Sequence, residues 1–559
     1  MKKRLALLLA ALTVSSVISS QEATVTVEKP MVRWLFGGFG FQHSEANFEE
    51  LMTDEFRDQR VLKTFAELSP TFGRVYTGFA GQSTAQMDRF AKYYHKTFAK
   101  AGTILYAVPG ALTYRAEDTT VVRPAEYAEK VAQSLDYLIK EKDCRKIRYY
   151  CLSNELMTAN RWNWFSTQGQ MPLFKAWTVP LYNSFKKHNL DLLLVGSDIS
   201  DLERFEKVQN WTAENMDEWL GAYVTHWYVY GEKVDDLSLW GKYREYFRKN
   251  VAIATGKAKR YILGEFGFCP VWGKKGVMVD DLGPAFRQPE TAAEVALCKC
   301  ELGLAAMNEG AYGCISWSFT DYPDPFCCED GHSAKERAAC EAGLCAYTPD
   351  LKYNKWGLFH WNDIDRDYSA APELYCLGYM AKLFRKNASV LVCSPSDSLL
   401  RAGAVINPDR SFSIAIINRG GQQTVTVDCS SWAGGTDTFS KSLRRYVYDS
   451  ANPPYNEFND LQPHTDKLAA EGGKLTLTLP AKSMTFLTTD YIERSTPAVT
   501  GIRVRDGVLR WNEVKDGNHC YYRVYRDGKQ IASTVATELK LKSAGGKYEV
   551  RSIDKWGND

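Results

Sequence analysis

The sequence predicts an α/β protein: a (β/α)8 barrel, then an antiparallel β-sandwich, then a smaller β-rich module. Three observations carry that prediction. From about Val32 to Thr320, short apolar runs alternate with amphipathic helical patterns. After about Asn387 the pattern changes to short strands separated by Gly, Pro, Asn and Asp. A third stretch follows Ser495-Thr496-Pro497, which reads as a linker.

The apolar runs are Val32–Phe41, Thr71–Tyr76, Thr103–Val108, Ile147–Leu152, Leu190–Gly196, Ala222–Trp227, Tyr261–Phe266 and Ala311–Trp317. Between them, Pro124 opens a helix whose Tyr127, Val131, Leu135, Leu138 and Ile139 share one face. Pro289 opens another, carrying Val295, Cys298, Leu302 and Ala306 and stopped by Gly310. Continuous apolar strands alternating with helices mean a parallel sheet covered on both faces. Eight such units over about 290 residues have the size of a (β/α)8 barrel. A doubly wound sheet is the alternative, but Gly37-Gly38-Phe39-Gly40 lacks the spacing of a phosphate-binding turn. The last barrel helix is expected at Pro372–Phe384. Sandwich strands are expected at Leu399–Ile406, Ser411–Asn418, Gln423–Asp428, Leu443–Tyr448, Lys474–Leu479 and Thr485–Thr489. Thr24–Val27 can pair with them. The resulting division is 31–386 for the barrel, 387–494 for the sandwich (which 21–30 can join), and 497–559 for an independent terminal module.

The composition is that of a globular protein: 45% hydrophobic, 24% charged, with Lys+Arg 69 against Asp+Glu 67 for a net charge of +2. Nothing in that balance suggests a nucleic-acid binder. The aromatic share is high at 13%, and aromatic faces stack on sugars and bases as well as filling cores. Lys2, Lys3 and Arg4, the apolar run Leu5–Val14 and the small residues to Ser20 have the anatomy of a signal peptide over residues 1–20. With no later run long enough to span a bilayer, the mature protein is expected to be secreted or periplasmic. Of 14 cysteines, Cys327, Cys328, Cys340 and Cys345 cluster around His332, as a disulfide-stapled loop or, less well spaced, a zinc site. Cys144, Cys151, Cys298, Cys300 and Cys314 fall in apolar segments and read as buried thiols.

In a barrel the working residues sit where strands end, at the C-terminal face. The fourth run ends Cys151-Leu152-Ser153-Asn154-Glu155, and the seventh ends Leu263-Gly264-Glu265-Phe266-Gly267. Two carboxylates facing one another there are the apparatus for cleaving a glycosidic bond, one protonated to donate and one ionised to attack.

On these residues the chain resembles the retaining glycoside hydrolases of clan A. The resemblance implies that Glu155, in the Asn154-Glu155 pair, is the acid/base and Glu265 the nucleophile. It further implies an Arg hydrogen-bonding the nucleophile, met by Arg74. His226 and Tyr228 would end the sixth strand, and Trp317 would be a sugar platform ending the eighth. Asn154 would bind a 2-hydroxyl. The barrel, Lys355-Trp356-Gly357-Leu358, Pro372-Glu373-Leu374-Tyr375 and the sandwich together look like the β-xylosidase/α-L-iduronidase family and related families. The module at 497–559, with Trp511 and the hairpin at 522–528, resembles a fibronectin type III domain. The partner implied is an oligo- or polysaccharide, with no cofactor, no metal, no nucleic acid and no membrane span.

Each residue also has a plainer reading. Glu155 could cap a helix, Arg74 could pair a structural carboxylate, His226 could be a satisfied core histidine, and Trp227 and Trp317 could be packing. His43 could bind a sugar hydroxyl or anchor a loop. Glu265 is harder to dismiss, because an acid on a buried strand is costly. Trp162, Trp164, Trp272, Tyr322 and Phe326 could form subsites or wall a pocket. A non-catalytic carbohydrate-binding barrel is the rival from another class. A Ser or Cys hydrolase lacks its G-x-S-x-G signature here.

Overall fold

The computed structural model describes residues 22–30, 35–43, 46, 53–77, 80, 82–108, 124–152, 154–155, 171–200, 202, 204–230, 234–269, 289–320, 322–323, 353–354, 357–362, 367–431, 434, 439, 442–449, 451, 456–461, 466–543 and 545–559. The leader at 1–20, the cysteine cluster around His332, Trp162, Trp164, Trp272, Phe326 and the side chain of Tyr322 lie outside them.

The first strand, β1 (Ala23–Pro30), does not belong to the barrel. Eight strands close the barrel: β2 (Gly38–Gln42), β3 (Phe72–Tyr76), β4 (Ile104–Val108), β5 (Ile147–Cys151), β6 (Leu193–Ile199), β7 (Leu220–Tyr230), β8 (Arg260–Cys269) and β9 (Gly313–Ser316). All neighbours run parallel, and β9 returns to β2. The helix after Pro124 runs Pro124–Asp136 and continues as a π-helical turn, and that after Pro289 runs Pro289–Glu309.

Strand alternation sorts the residues. Phe72, Ile104, Tyr106, Val108, Tyr149, Cys151, Val195, Ala222, Val224, Ile262 and Ile315 fill the barrel interior. Their neighbours Val75, Leu105, Ala107, Tyr150, Leu194, Tyr223 and Leu263 face the helices. Cys144, Cys298, Cys300 and Cys314 are buried in that outer layer. Among the described residues no helix is long and apolar enough to cross a membrane.

β1 lies in a nine-stranded sheet, antiparallel to Ser389–Pro395 and parallel to Gln423–Asp428. One face of the sheet encloses its own core of Val25, Leu400, Ile414, Ile416, Val427 and Leu487. The other face shares a core with the barrel helices. Tyr379 of helix Pro372–Leu383 meets Tyr446 and Phe486, with ring centroids 4.6 and 5.5 Å apart. Charges cross the same interface: Glu301 accepts from Arg419 at 2.8 Å and pairs with Arg401 at 3.1 Å, all three buried. Barrel and sheet therefore share one buried interior.

The terminal stretch forms two three-stranded sheets, Arg503–Arg505, Val508–Arg510 and Glu538–Lys540 against Lys529–Thr534, His519–Arg526 and Tyr548–Asp554. Leu509, Trp511, Tyr522, Val524, Ala532 and Val550 pack between them. Ser495-Thr496-Pro497 is not a loose spacer. Thr496 Oγ1 donates to the Ser552 carbonyl at 2.9 Å, and Arg494 pairs with Asp554 at 3.0 Å. A charge cluster seats the module on the barrel. Lys63 Nζ pairs with Glu67 at 2.8 Å and with Asp460 at 3.1 Å, Lys63 and Asp460 having no exposed side-chain surface. Asp460 also accepts from Arg523 at 3.0 Å and from Gln530 and Ser533 of the module at 3.0 Å. The terminal module therefore packs on both other bodies, and its removal would bare the buried charges of Lys63 and Asp460.

Burial opposes the charge on Asp460, but Lys63 and Arg523 outweigh it and pull its pKa down to about 2. The unfolded carboxylate titrates near about 3.9, so this stabilisation is complete above that pH and is lost as the pH falls towards about 2. Asp460→Asn leaves Lys63 and Arg523 short of a counter-charge and should cost about 3 kcal/mol in urea denaturation at neutral pH. The difference from the parent protein should shrink as the pH is lowered from 4 towards 2.

Candidate active site

Phe72, Arg74 and Tyr76 alternate inward on β3, so a guanidinium enters the barrel. Arg74 has no exposed surface and is held on several sides. Nη1 pairs with Glu265 Oε1 at 2.5 Å and donates to Gln42 Oε1 at 3.0 Å. Nη2 donates to Asn154 Oδ1 at 2.5 Å and to Asp198 Oδ2 at 3.3 Å. The rings of Tyr106, Tyr76 and Trp317 stand 5.3, 5.6 and 6.0 Å from the guanidinium carbon.

The second basic group is His226 on β7. Its Nδ1 lies 3.3 Å from Glu155 Oε1 and 3.4 Å from Glu265 Oε2, and its Nε2 lies 2.9 Å from Asp198 Oδ1. Tyr228, two residues on and on the same face, donates to Glu265 Oε2 at 2.6 Å. Glu155, with φ of 56°, keeps 17% of its side chain exposed, while Glu265 keeps 4%. The more open carboxyl is therefore the one at the mouth of the site.

Two register irregularities build this arrangement. On β8, Ile262 faces in and Leu263 faces out, so simple alternation would turn Glu265 outward. The register instead jumps, pairing Leu263 with Thr225 and Glu265 with His226, so Gly264 is an extra residue. Glu265 then faces in and Phe266 out. On β6, Ser197 pairs with Val224 and Ile199 with Thr225, making Asp198 the extra residue, with φ of 57°. Gly264 has to be glycine, because a Cβ there would sit 2.4 Å from Val224 Cγ1 and 3.2 Å from Asp198 Oδ1.

Burial pushes the Glu265 carboxyl above the usual carboxylate range, and Arg74 and His226 pull against it. Burial likewise opposes the charge on His226, but Asp198 and then Glu265 outweigh it and raise its pKa to about 10. Glu155, His226 and Glu265 each offer one atom within 4.8 Å of the others, a spacing that could hold a metal ion. His226 is a poor ligand there, since the carboxylates on both sides of its ring favour the protonated form and a metal needs a bare nitrogen.

Of the residues singled out in the sequence, Glu155, Glu265, Asn154, Arg74, His226, Tyr228 and Trp317 come together at one end of the barrel. His43 does not. Gln42 turns inward to Arg74, so His43 turns outward, enclosed by the rings of Phe98, Phe319 and Phe65 at 5.0 to 5.3 Å. Its backbone N–H donates to the Arg74 carbonyl at 2.8 Å. Trp227 also faces outward, against Tyr243 and Tyr246. Sequence reasoning missed Gln42, Tyr106 and Asp198. Tyr106 was accessible, as the inward middle residue of its strand. Asp198 lay two residues beyond the end of its predicted strand.

No family model matches the sequence, and no curated protein sequence matches it. Among solved structures, the chain is similar to the catalytic domain of a GH30 xylanase C from Talaromyces cellulolyticus, with TM-score 0.51 and 16% identity over 83% of this chain and 99% of that one. It is similar to a GH51 arabinofuranosidase from Xanthomonas axonopodis pv. citri, with TM-score 0.53 and 13% identity over 84% of this chain and 100% of the other. It is also similar to a family 51 α-L-arabinofuranosidase from Bifidobacterium longum, with TM-score 0.56 and 14% identity over 83% and 99%. These neighbours are glycoside hydrolases by name, and what the chain shares with them is the fold.

Gly264→Ala should destabilise the fold by about 1–3 kcal/mol in urea denaturation, because the new methyl overpacks β7. An unchanged midpoint would show that the strands are not drawn together there.

Proposed function

We propose that this chain is an exported retaining glycoside hydrolase that cleaves β-linked oligo- or polysaccharides by double displacement. The observation that carries the proposal is the approach of Glu155 and Glu265, with carboxylate oxygens within 4.8 Å of one another at the strand ends. Retaining enzymes hold their carboxyl groups roughly 5–5.5 Å apart, whereas inverting enzymes leave about 6.5–9.5 Å for a water. The names of the structural neighbours, xylanase and arabinofuranosidase, support the same reaction class.

Glu265 attacks the anomeric carbon while Glu155 gives a proton to the leaving oxygen. The glycosyl ester on Glu265 is then hydrolysed by a water that Glu155 deprotonates. Arg74 and Tyr228 fix one Glu265 oxygen each, which leaves the carboxylate little freedom to rotate. Asn154 gives its amide oxygen to Arg74, so its amide nitrogen is the group to meet the substrate 2-hydroxyl. Trp317, beside Tyr76 with ring centroids 6.1 Å apart, offers a sugar platform. Export rests on the leader-like residues 1–20. The fibronectin type III-like reading of 497–559 is supported by its two facing sheets and buried Trp511.

The purified protein, screened against a polysaccharide panel and aryl glycosides, should release sugars from a β-linked substrate. Glu265→Ala should abolish turnover, with rescue by azide yielding the α-linked glycosyl azide. Glu155→Ala should lose far more activity on poor leaving groups than on activated aryl ones, because only the former need the proton. Equal losses on both would refute the acid/base assignment. The acid limb of kcat/KM should lie above the ordinary Glu value of about 4.3, because activity is lost as falling pH protonates the burial-raised Glu265. A limb at or below that value would contradict the assignment.

A further inference from the structure

Asp198 is a third carboxylate in the cluster, and double displacement by two glutamates gives it no task. It is wholly buried, whereas Glu155 is partly exposed. Its Oδ1 accepts from the Tyr106 hydroxyl at 2.7 Å and faces His226 Nε2 at 2.9 Å, and its Oδ2 faces Arg74 Nη2 at 3.3 Å. It thus touches both basic groups of the site. Its position is built at a cost: it is the extra residue of the β6 irregularity and holds a left-handed φ of 57° that non-glycine residues seldom adopt.

The geometry around His226 gives this carboxylate a role. Nε2 points at Asp198, and Nδ1 points between Glu155 and Glu265. Asp198 and Glu265 only accept, and Glu155 as the acid must keep its proton for the leaving oxygen, so a neutral ring would either aim a bare nitrogen at an anion or draw off the Glu155 proton. The doubly protonated ring satisfies both sides and leaves that proton free. Among the described residues no cation touches the ring: Arg74 stands across Asp198 and Glu265, Tyr228 shares the Glu265 oxygen, and Tyr246 donates to the His226 carbonyl at 3.3 Å.

Resting on the glycosidase reading, we infer that Asp198 is a positioning residue that holds His226 as a standing imidazolium between the two catalytic glutamates. Arg74 and His226 then balance Asp198 and Glu265, so Glu155 can carry its proton with no net charge in the cluster. Without Asp198 the ring loses its strongest support and reverts to a neutral form. Nδ1 or Nε2 is then bare, and Glu265 keeps one cation instead of two.

The test uses the full chain labelled with 15N-histidine, with the His226 ring signal among the 8 histidines assigned by its loss in His226→Gln. In the parent protein both ring nitrogens should stay protonated between about pH 5 and 8, the range in which an ordinary histidine titrates. In Asp198→Asn the ring should titrate within that range. On an aryl glycoside turned over by the parent, kcat should fall about 10–100-fold, with KM changed less than about 3-fold, because Asp198 does not touch substrate. A parent ring that titrates in this range overturns the inference, and so does a ring that stays protonated in Asp198→Asn. Should Asp198→Asn fail to fold, the parent spectrum still decides. Should no glycoside be turned over, the glycosidase reading falls while the ring titration still answers for Asp198.

Discussion

A guanidinium with no exposed surface must be neutralised where it stands, and Arg74 stands inside a barrel, above a layer of apolar and aromatic side chains. Its neutralisation organises the whole C-terminal end of the barrel. Glu265 and Asp198 supply the charge, and Gln42 and Asn154 take the remaining hydrogen bonds. Four strands and the loop after β5 are thereby tied to one side chain. Aromatic rings close the space that water would otherwise occupy. A carboxylate pinned in this way is already oriented, which is what the proposed nucleophile requires.

The alternation of a β-strand would not by itself deliver those acids. It sends Leu263 outward and would send Glu265 after it. The extra residue at Gly264 reverses the face of everything that follows on β8, and the extra residue at Asp198 does the same on β6. The two irregularities flank β7, which carries His226 and Tyr228 inward by ordinary alternation. Three adjacent strands thus bring a histidine and two carboxylates to one level of the barrel. Gly264 is the seam between them, since its missing side chain is what lets β8 close onto Val224 and Asp198.

What the sequence made legible follows from this. Apolar runs with helices between them announce a parallel barrel, because burial on both faces requires continuous hydrophobicity. Acids and amides that interrupt such runs at their C-terminal ends are conspicuous, so Asn154, Glu155, Arg74 and Glu265 stand out without coordinates. Asp198 does not stand out, since Gly196-Ser197-Asp198 reads as the turn that ends a strand while β6 runs on to Ile199. His43 misled for a related reason: it sits one residue past Gln42, and one residue decides which face a side chain takes. Ser495-Thr496-Pro497 has the composition of a linker, but composition says nothing of Lys63 and Asp460, distant in sequence and buried together beneath the terminal module.

The proposed reaction asks Glu265, at the centre of this ion-paired cluster with Glu155 beside it, for two successive displacements at one carbon. The configuration of the first-formed sugar tests that directly. Proton NMR of the anomeric region during early turnover of a β-linked substrate should show the β-anomer appearing first, with the α-anomer growing in only at the rate of mutarotation. An α-anomer that appears first would mean a single displacement by water, and would contradict Glu265 as the nucleophile.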